Sequence, residues 1–448
     1  MSQLLTTGQV VQTDSGLSCT VGELLGSGGQ GEVYRAILGN HAVALKWYHP
    51  HYIYQDSGLR ERLEQVISSG PPNEKFLWPM AIVSMPKGSG FGYVMRLREP
   101  RYRSILDWVK RRVNPSFKVL ATVGLELADS FLQLHARGLC YRDISFGNVF
   151  FEPDTGKTLI CDNDNVTVDG AQLGSILGTP DFMAPEIVRQ EAKPSKQTDL
   201  FSLAVLLFYI FHVHHPLYGK KVMNVMCLDL RARTKLCGEE PVFIFDPSDR
   251  SNEALPESID PTREAGANAL AFWSIYPKFL QNLFIQSFTE GLRDPEHGRV
   301  RESVWRTAMV RLRDSIIYCH HCGVETFYDV DAFKASGGKL GTCWSCQKEV
   351  QNPPRIRLGN NIVMLNQDTQ LFPHHVDSQR MYDFSQPVAA ITRHPNNSNI
   401  WDLKNLFGKS WAVTTPDGVV REVEPERSVA LRMGLKINFG STEGEIRL

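Results

Sequence analysis

A chain of 448 residues has the length of about three domains at ~150 residues each, which excludes a single small module. Lys and Arg number 48 against 49 for Asp and Glu, and this net charge of -1 gives no electrostatic reason to expect binding to nucleic acid or to a membrane surface. Hydrophobic residues at 42% and charged residues at 22% exclude a chain dominated by disorder.

The opening MSQLLTTGQVVQTDSG lacks the basic and then apolar stretches of a secretory signal, so a cytoplasmic protein is expected. Apolar residues alternate from Leu17 to Tyr48, and Gly39-Asn40 supplies the turn of an antiparallel hairpin. Within this stretch Gly26-Ser27-Gly28-Gly29-Gln30-Gly31 is a G-x-G-x-x-G loop, whose backbone amides can approach phosphate oxygens without side-chain obstruction. Three glycines can equally form a tight hairpin with no ligand. A dinucleotide site needs a helix after the loop, whereas here Val33, Tyr34 and an alternating run to Lys46 follow, so the nicotinamide reading fails.

Leu59, Leu63, Val66 and Ile67 follow helical spacing, and Gly70-Pro71-Pro72 stops that helix. Ala81–Val83 and Tyr93–Leu97 read as strands, and Ile105 to Arg313 as mostly helical, giving a small sheet lobe (1–97) before a larger helical lobe (98–315). The most apolar stretch, Phe201–Val213, is too short for the roughly 20 residues of a membrane span and contains Ser202 and His212. A buried helix and no membrane span are expected.

Nine cysteines include two close pairs, Cys319 with Cys322 and Cys343 with Cys346, separated by 20 intervening residues. That spacing lets two turns converge on one tetrahedral ion, and four thiolates favour Zn2+ in a closed structural site over buried free thiols. His320 and His321, inside the first pair, are expected beside the ligands rather than among them. After a linker at Gln351-Asn352-Pro353-Pro354, short strands with turn signals such as Pro416-Asp417-Gly418 run to Leu448. The expected class is α+β: a two-lobed domain over 1–315, a ribbon over 316–352, and a small all-β, sandwich-like domain over 353–448.

From Leu17 to Arg313 the chain resembles the eukaryotic-like serine/threonine protein kinase family. Six ordered stretches carry the likeness: the glycine loop, Val43-Ala44-Leu45-Lys46, Tyr141-Arg142-Asp143-Ile144-Ser145-Phe146-Gly147-Asn148, Asp162-Asn163-Asp164, Gly178-Thr179-Pro180, and Ala184-Pro185-Glu186. The resemblance implies a bilobal kinase fold using ATP and Mg2+ to phosphorylate a protein substrate. It assigns Lys46 to the α and β phosphates, Asp143 to the catalytic base, and Asn148 and Asp162 to magnesium. Gly26, Ser27, Gly28, Gly31, Val33 and Ala44 then line the nucleotide pocket. Met95 is its gatekeeper, with Arg96 and Leu97 entering the hinge, although core packing fits Met95 equally.

Lys46 needs a carboxylate, for which the resemblance favours Glu64, with Glu61 as the alternative. Asp199 is expected to brace the catalytic loop and Glu186 to pair with Arg299. Arg142 is expected to meet a phosphate on Ser175, while Thr179 contacts Asp143 and Thr167 lies close to the metal motif. Three departures stand out: Tyr141 replaces the usual His, Ser145 the catalytic-loop Lys, and Asn163-Asp164 the usual Phe-Gly. Loss of the lysine charge weakens stabilisation of the transferred phosphoryl group. The rival reading is therefore a pseudokinase, a nucleotide-binding scaffold presenting its C-terminal domains.

The cysteine segment resembles a zinc ribbon. Trp401 to Gly440, with Trp411 and Gly434-Leu-Lys-Ile-Asn-Phe-Gly440, resembles the end of forkhead-associated domains that bind phosphothreonine, and Arg393-His394 resembles part of a recognition loop. This likeness implies recruitment of substrates or of an autophosphorylated partner. The assemblies it brings to mind combine a kinase with a cognate phosphatase and an adhesion-type domain protein.

Overall fold

The alternating stretch near the start forms strands β2 (Ser18–Ser27), β3 (Gly31–Leu38) and β4 (His41–Tyr48). The computed structural model describes residues 3–86, 88, 90–170, 177–256, 265–394 and 397–447, with the backbone alone for 398 and 399. Two compact units are present, Met1–Trp273 with Gln281–Thr307, and Ser274–Leu280 with Ala308–Leu448.

In the first unit β3 and β4 pair from Leu38↔His41 onward, and the two-residue turn between them uses Gly39 at φ 60°, where a glycine avoids the strain a side chain would bring. Strands β5 (Pro79–Ser84) and β6 (Phe91–Arg96) follow helices α1 (Pro50–Gln55) and α2 (Leu59–Ser69). The sheet lobe is a closed barrel in the order β1-β2-β3-β4-β6-β5, because a strand absent from the sequence reading, β1 (Val10–Thr13), pairs with β2 on one side and β5 on the other. Val11 drives this closure: it is fully buried in one cluster with Cys19, Val21 and Val83.

From Val43 to Tyr48, β4 is buried on both faces. Val43, Leu45 and Trp47 join that cluster, while Ala44 and Tyr48 face a second one containing Leu63, Tyr93 and Met95. Strand alternation therefore places Lys46 on the same side as Tyr48. The helical part is anchored by Phe117–Ala136, capped by Ser116, and by Lys196–His212, capped by a reciprocal Ser195–Thr198 pair. The second of these is buried over most of its length, as expected of the apolar stretch. Among the described residues no helix is long and apolar enough to cross a membrane.

The second unit begins with the strand pair Ile316–Tyr318 and Glu325–Phe327. A six-stranded sheet then runs in the order Asn361–Met364, Arg355–Leu358, Glu443–Arg447, Lys436–Asn438, Trp411–Thr414, Val420–Val423. A four-stranded sheet runs Gln370–Leu371, Ala389–His394, Asn397–Asn405, Ser428–Ala430. Ile356, Val363, Trp411 and Ile437 from the first share one core with Leu371, Ile391 and Leu403 from the second. Met364 also packs with Cys319, Cys343 and Val350, so the ribbon and sheet segments, read from the sequence as separate domains, share apolar packing.

Candidate active site

Lys46 is only 3% exposed, and an ammonium so buried requires a partner. That partner is Asp164. Lys46 Nζ donates to both of its carboxylate oxygens, at 2.9 and 3.1 Å, and to Gln30 Oε1 of the glycine loop. The hydroxyls of Tyr48 and Tyr93 donate to Asp164 at 2.6 and 3.0 Å. Burial by itself raises the Asp164 carboxyl, but the Lys46 charge and these hydrogen bonds outweigh it and hold the group below the usual carboxylate range. Burial likewise works against the Lys46 charge, and Asp162 and Asp164 more than restore it.

Glu64, favoured from the sequence as this partner, is not there. Its side chain is 54% exposed and pairs with Arg60 at 3.2 Å, and Glu61 is exposed as well. The inward face of α2 carries Leu59, Leu63 and Val66 together with Arg62, which is paired with Asp56. Burial of that apolar stripe turns both glutamates outward.

The catalytic-loop segment is held by Asp199, whose carboxylate accepts from the backbone N–H groups of Tyr141 at 2.5 Å and Arg142 at 2.8 Å. His135 bridges Asp199, at 3.1 Å, to Glu302. Burial would lower the His135 pKa, yet hydrogen bonds and charges from Asp199 and Glu302 raise it to about 9. Tyr141, in the place of a histidine, donates its hydroxyl to the Cys161 carbonyl, tying this loop to the segment that carries Asp162.

Asp143 accepts from Thr179 Oγ1 at 2.7 Å and from Asn148 Nδ2 at 3.1 Å. The same amide donates to the Asp143 carbonyl at 2.8 Å, which leaves the Asn148 oxygen for a cation. Asp162 lies 3.6 Å from Lys46 Nζ, with 35% of its side chain exposed. Burial, with Asp164 and Asp143 adding to it and Lys46 opposing, raises its pKa. Its backbone is left-handed at φ 52°, an uncommon conformation for a residue with a side chain. The next residue, Asn163, is fully buried and donates to the carbonyls of Leu77 and Ile160 at 2.9 and 3.0 Å, fixing that turn. Hard oxygen donors on Asp162 and Asn148 suit magnesium.

In the glycine loop Gly26 pairs with Val33 and Ser27 with Glu32, while the Gly28 N–H donates to the Gly31 carbonyl at 2.9 Å. Gly31 is sterically obligatory, since a Cβ there would lie 2.1 Å from the Trp47 carbonyl oxygen. Ala44, Met95, Val33 and Leu97 belong to one apolar cluster with Leu159, the surface an adenine ring needs.

The sequence model of the family described as Protein kinase domain matches residues 92–260. The chain carries a protein kinase domain. CBL-interacting protein kinase 4 of Oryza sativa subsp. japonica is 25% identical over 297 residues, 62% of this chain and 61% of that protein. Serine/threonine-protein kinase pkn2 of Myxococcus xanthus is 27% identical over 215 residues, 45% of this chain and 25% of that protein. Serine/threonine-protein kinase sck2 of Schizosaccharomyces pombe (strain 972 / ATCC 24843) is 33% identical over 104 residues, 22% of this chain and 16% of that protein. The chain thus spans less than two thirds of the length of these curated relatives.

The family match starts within β6, so the glycine loop and Lys46 lie before it, and the fold brings Lys46 and Gln30 together with Asp162 and Asp164 of the matched segment. Asp164, Tyr48, Tyr93 and Gln30 are the groups around Lys46 that sequence reasoning did not single out. The available signal was an acidic residue where this family has glycine, two positions after Asp162. Elsewhere in the first unit Arg299 pairs with Glu186 at 2.8 Å, and Thr167 lies 3.5 Å from Cys140 Sγ. Ser145 is buried, and Ser175 lies outside the described residues.

In the second unit the Sγ atoms of Cys319, Cys322, Cys343 and Cys346 all lie within 4.8 Å of one another, a group that can hold a metal ion. Each pair sits on a like turn, in which the first cysteine's carbonyl accepts from the residue four ahead, Gly323 at 2.8 Å and Gln347 at 2.9 Å. Cys319 and Cys346, and likewise Cys322 and Cys343, have sulfurs 3.7 Å apart. His320 and His321 are exposed and outside this group. Arg393 and His394 end a strand instead of lying in a loop, and the Arg393 guanidinium stacks 3.6 Å from the centre of the Trp401 ring, on its cross-strand neighbour.

Proposed function

We propose that the chain is a serine/threonine protein kinase, transferring the γ-phosphate of ATP to protein hydroxyls. One observation carries this reading: a buried, charged Lys46 within 3.6 Å of Asp162, in the domain where Asp143 is held by Asn148 and Thr179. Bound MgATP supplies the phosphoryl group and a stabilised leaving group. Lys46 would hold the α and β phosphates, and Asn148 and Asp162 would hold magnesium. Asp143, oriented by two hydrogen bonds, would position the substrate hydroxyl and take its proton late in the transfer.

Ser145, which leaves the catalytic loop one positive charge short, supports the nucleotide-binding scaffold as the second reading. Transfer from labelled ATP to the chain itself and to candidate proteins separates the two. Asp143→Asn should lower transfer by roughly 10²- to 10⁴-fold while changing nucleotide affinity only slightly. Binding of MgATP with no transfer above that variant would establish the scaffold.

For the cysteine group we propose structural zinc. A tetrahedron of sulfurs at ~2.3 Å from the ion has edges of about 3.8 Å, and two sulfur pairs stand at 3.7 Å. The shared core of the C-terminal sheets supports the sandwich class of forkhead-associated domains. Phosphothreonine recognition there, and a cognate phosphatase or adhesion-type protein as partner, rest on resemblance alone.

A further inference from the structure

We infer that Asp164 is the positioning residue of Lys46, and that helix α2 supplies nothing to the nucleotide site except apolar packing. The inference deepens the kinase reading and rests on it.

Of the three protons on Lys46 Nζ, two point to the Asp164 oxygens and one to Gln30. The Asp164 carboxylate receives four hydrogen bonds, two from Lys46 and one each from Tyr48 and Tyr93, so its acceptor capacity is filled. Removing it would leave two phenols buried without their acceptor and the Lys46 ammonium with only Gln30 and, at 3.6 Å, Asp162, since Lys46, Asp164, Tyr48 and Tyr93 are at most 3% exposed. No acid of α2 stands ready as a substitute. Rotating Glu64 inward by one helical position would carry Leu59, Leu63 and Val66 out of the core. Arg62, the charged residue on the inward face, is already neutralised by Asp56.

This changes what is coupled to what. Asp164 follows Asp162 by two residues, so the anchor of the phosphate-binding lysine and a magnesium ligand ride on one turn. The left-handed Asp162 and the two hydrogen bonds from the Asn163 side-chain amide to the Leu77 and Ile160 carbonyls set the shape of that turn. A shift of α2 removes no hydrogen bond from the Lys46 anchor, because that helix supplies none of them. Gln30 is the one member of the cluster on the glycine loop, and it is the partner that bound phosphates can replace.

The test measures affinity of the full chain for magnesium and a non-hydrolysable ATP analogue, with phosphoryl transfer followed in parallel. Asp164→Asn should weaken analogue binding by about 10-fold or more. In a Lys46→Met background the same change should alter it by less than about 2-fold, because the two residues act through each other. The double variant Glu61→Gln/Glu64→Gln should stay within about 2-fold of wild type.

Equal losses from Asp164→Asn with and without Lys46 would reduce Asp164 to a structural residue and overturn the inference. A 10-fold loss in the double variant would overturn it as well. Should Asp164→Asn not fold, Asp164→Glu, which keeps the charge but displaces it by one methylene, enters the same cycle and must raise KM for MgATP in the Lys46 background alone. Wild type that binds the analogue but transfers no phosphate would sink the kinase reading and leave this cycle readable by binding.

Discussion

In the cysteine group the four sulfurs come from positions at most 27 apart, on two like turns, whereas Lys46 meets Asp164 from 118 positions away. The first arrangement is set mainly by its own short segment, with Met364 of the sheet packed beside Cys319 and Cys343. The second exists only once the barrel, α2 and the Asp162 turn have all packed. A local cluster can therefore be lost without its neighbours, while a long-range buried cluster stands or falls with the unit that encloses it.

Chelation should have the largest effect, because structural zinc contributes binding free energy on the order of 10 kcal/mol. Metal analysis should return one zinc per chain, and Cys343→Ser or Cys346→Ser should abolish it and melt the ribbon. Nucleotide affinity should hardly change, and an equal loss of nucleotide binding on chelation would erase the contrast between the clusters.

On the long-range side, Arg299→Ala strands Glu186, which is 9% exposed, without its cation. The expected cost is about 3–5 kcal/mol, read as a lower denaturant midpoint. A change below about 1 kcal/mol would show that this pair does not share the behaviour of the Lys46 cluster.

A third comparison uses pH. The folded chain raises the His135 pKa from its ordinary 6.5 to about 9, so the protonated imidazole favours the folded state. Its contribution is complete below about pH 6.5 and disappears as pH rises through 9, amounting to about 3 kcal/mol. Thermal midpoints of wild type should decline over that window, and His135→Gln should flatten the decline. The smallest effect is expected from Glu64→Ala, within about 0.5 kcal/mol, since its pair with Arg60 is exposed. A larger loss would reopen the case for α2.

The spacing of Cys319, Cys322, Cys343 and Cys346 was legible because local turns determine it. The Gly39-Asn40 hairpin, helix α2 and the buried Lys196–His212 helix were legible for the same reason: period and turn residues are local signals. Thr179 on Asp143, Asp199 beneath the catalytic loop and Arg299 on Glu186 were expected from the resemblance to protein kinases, and these contacts are present. Asp164 was not legible, because nothing in the period of a sequence tells which carboxylate will be buried beside which amine. Glu64 misled for a related reason. Helical spacing gave the apolar stripe of α2 correctly, and that stripe itself places Glu64 on the outside. Arg393 was read as a loop residue, but its strand continues through His394 and gives the guanidinium an aromatic face.

The closing strand Val10–Thr13 has a consequence for association. With β1 hydrogen-bonded to both β2 and β5, each described strand of the barrel has two neighbours, and Val10–Thr13 covers the edge of β2 over Ser18–Thr20 and that of β5 over Val83–Ser84. Over those residues strand addition by a partner is closed, and so is edge-to-edge self-assembly. Recognition there is left to side chains and loops, and four residues of backbone pairing act as a safeguard for solubility.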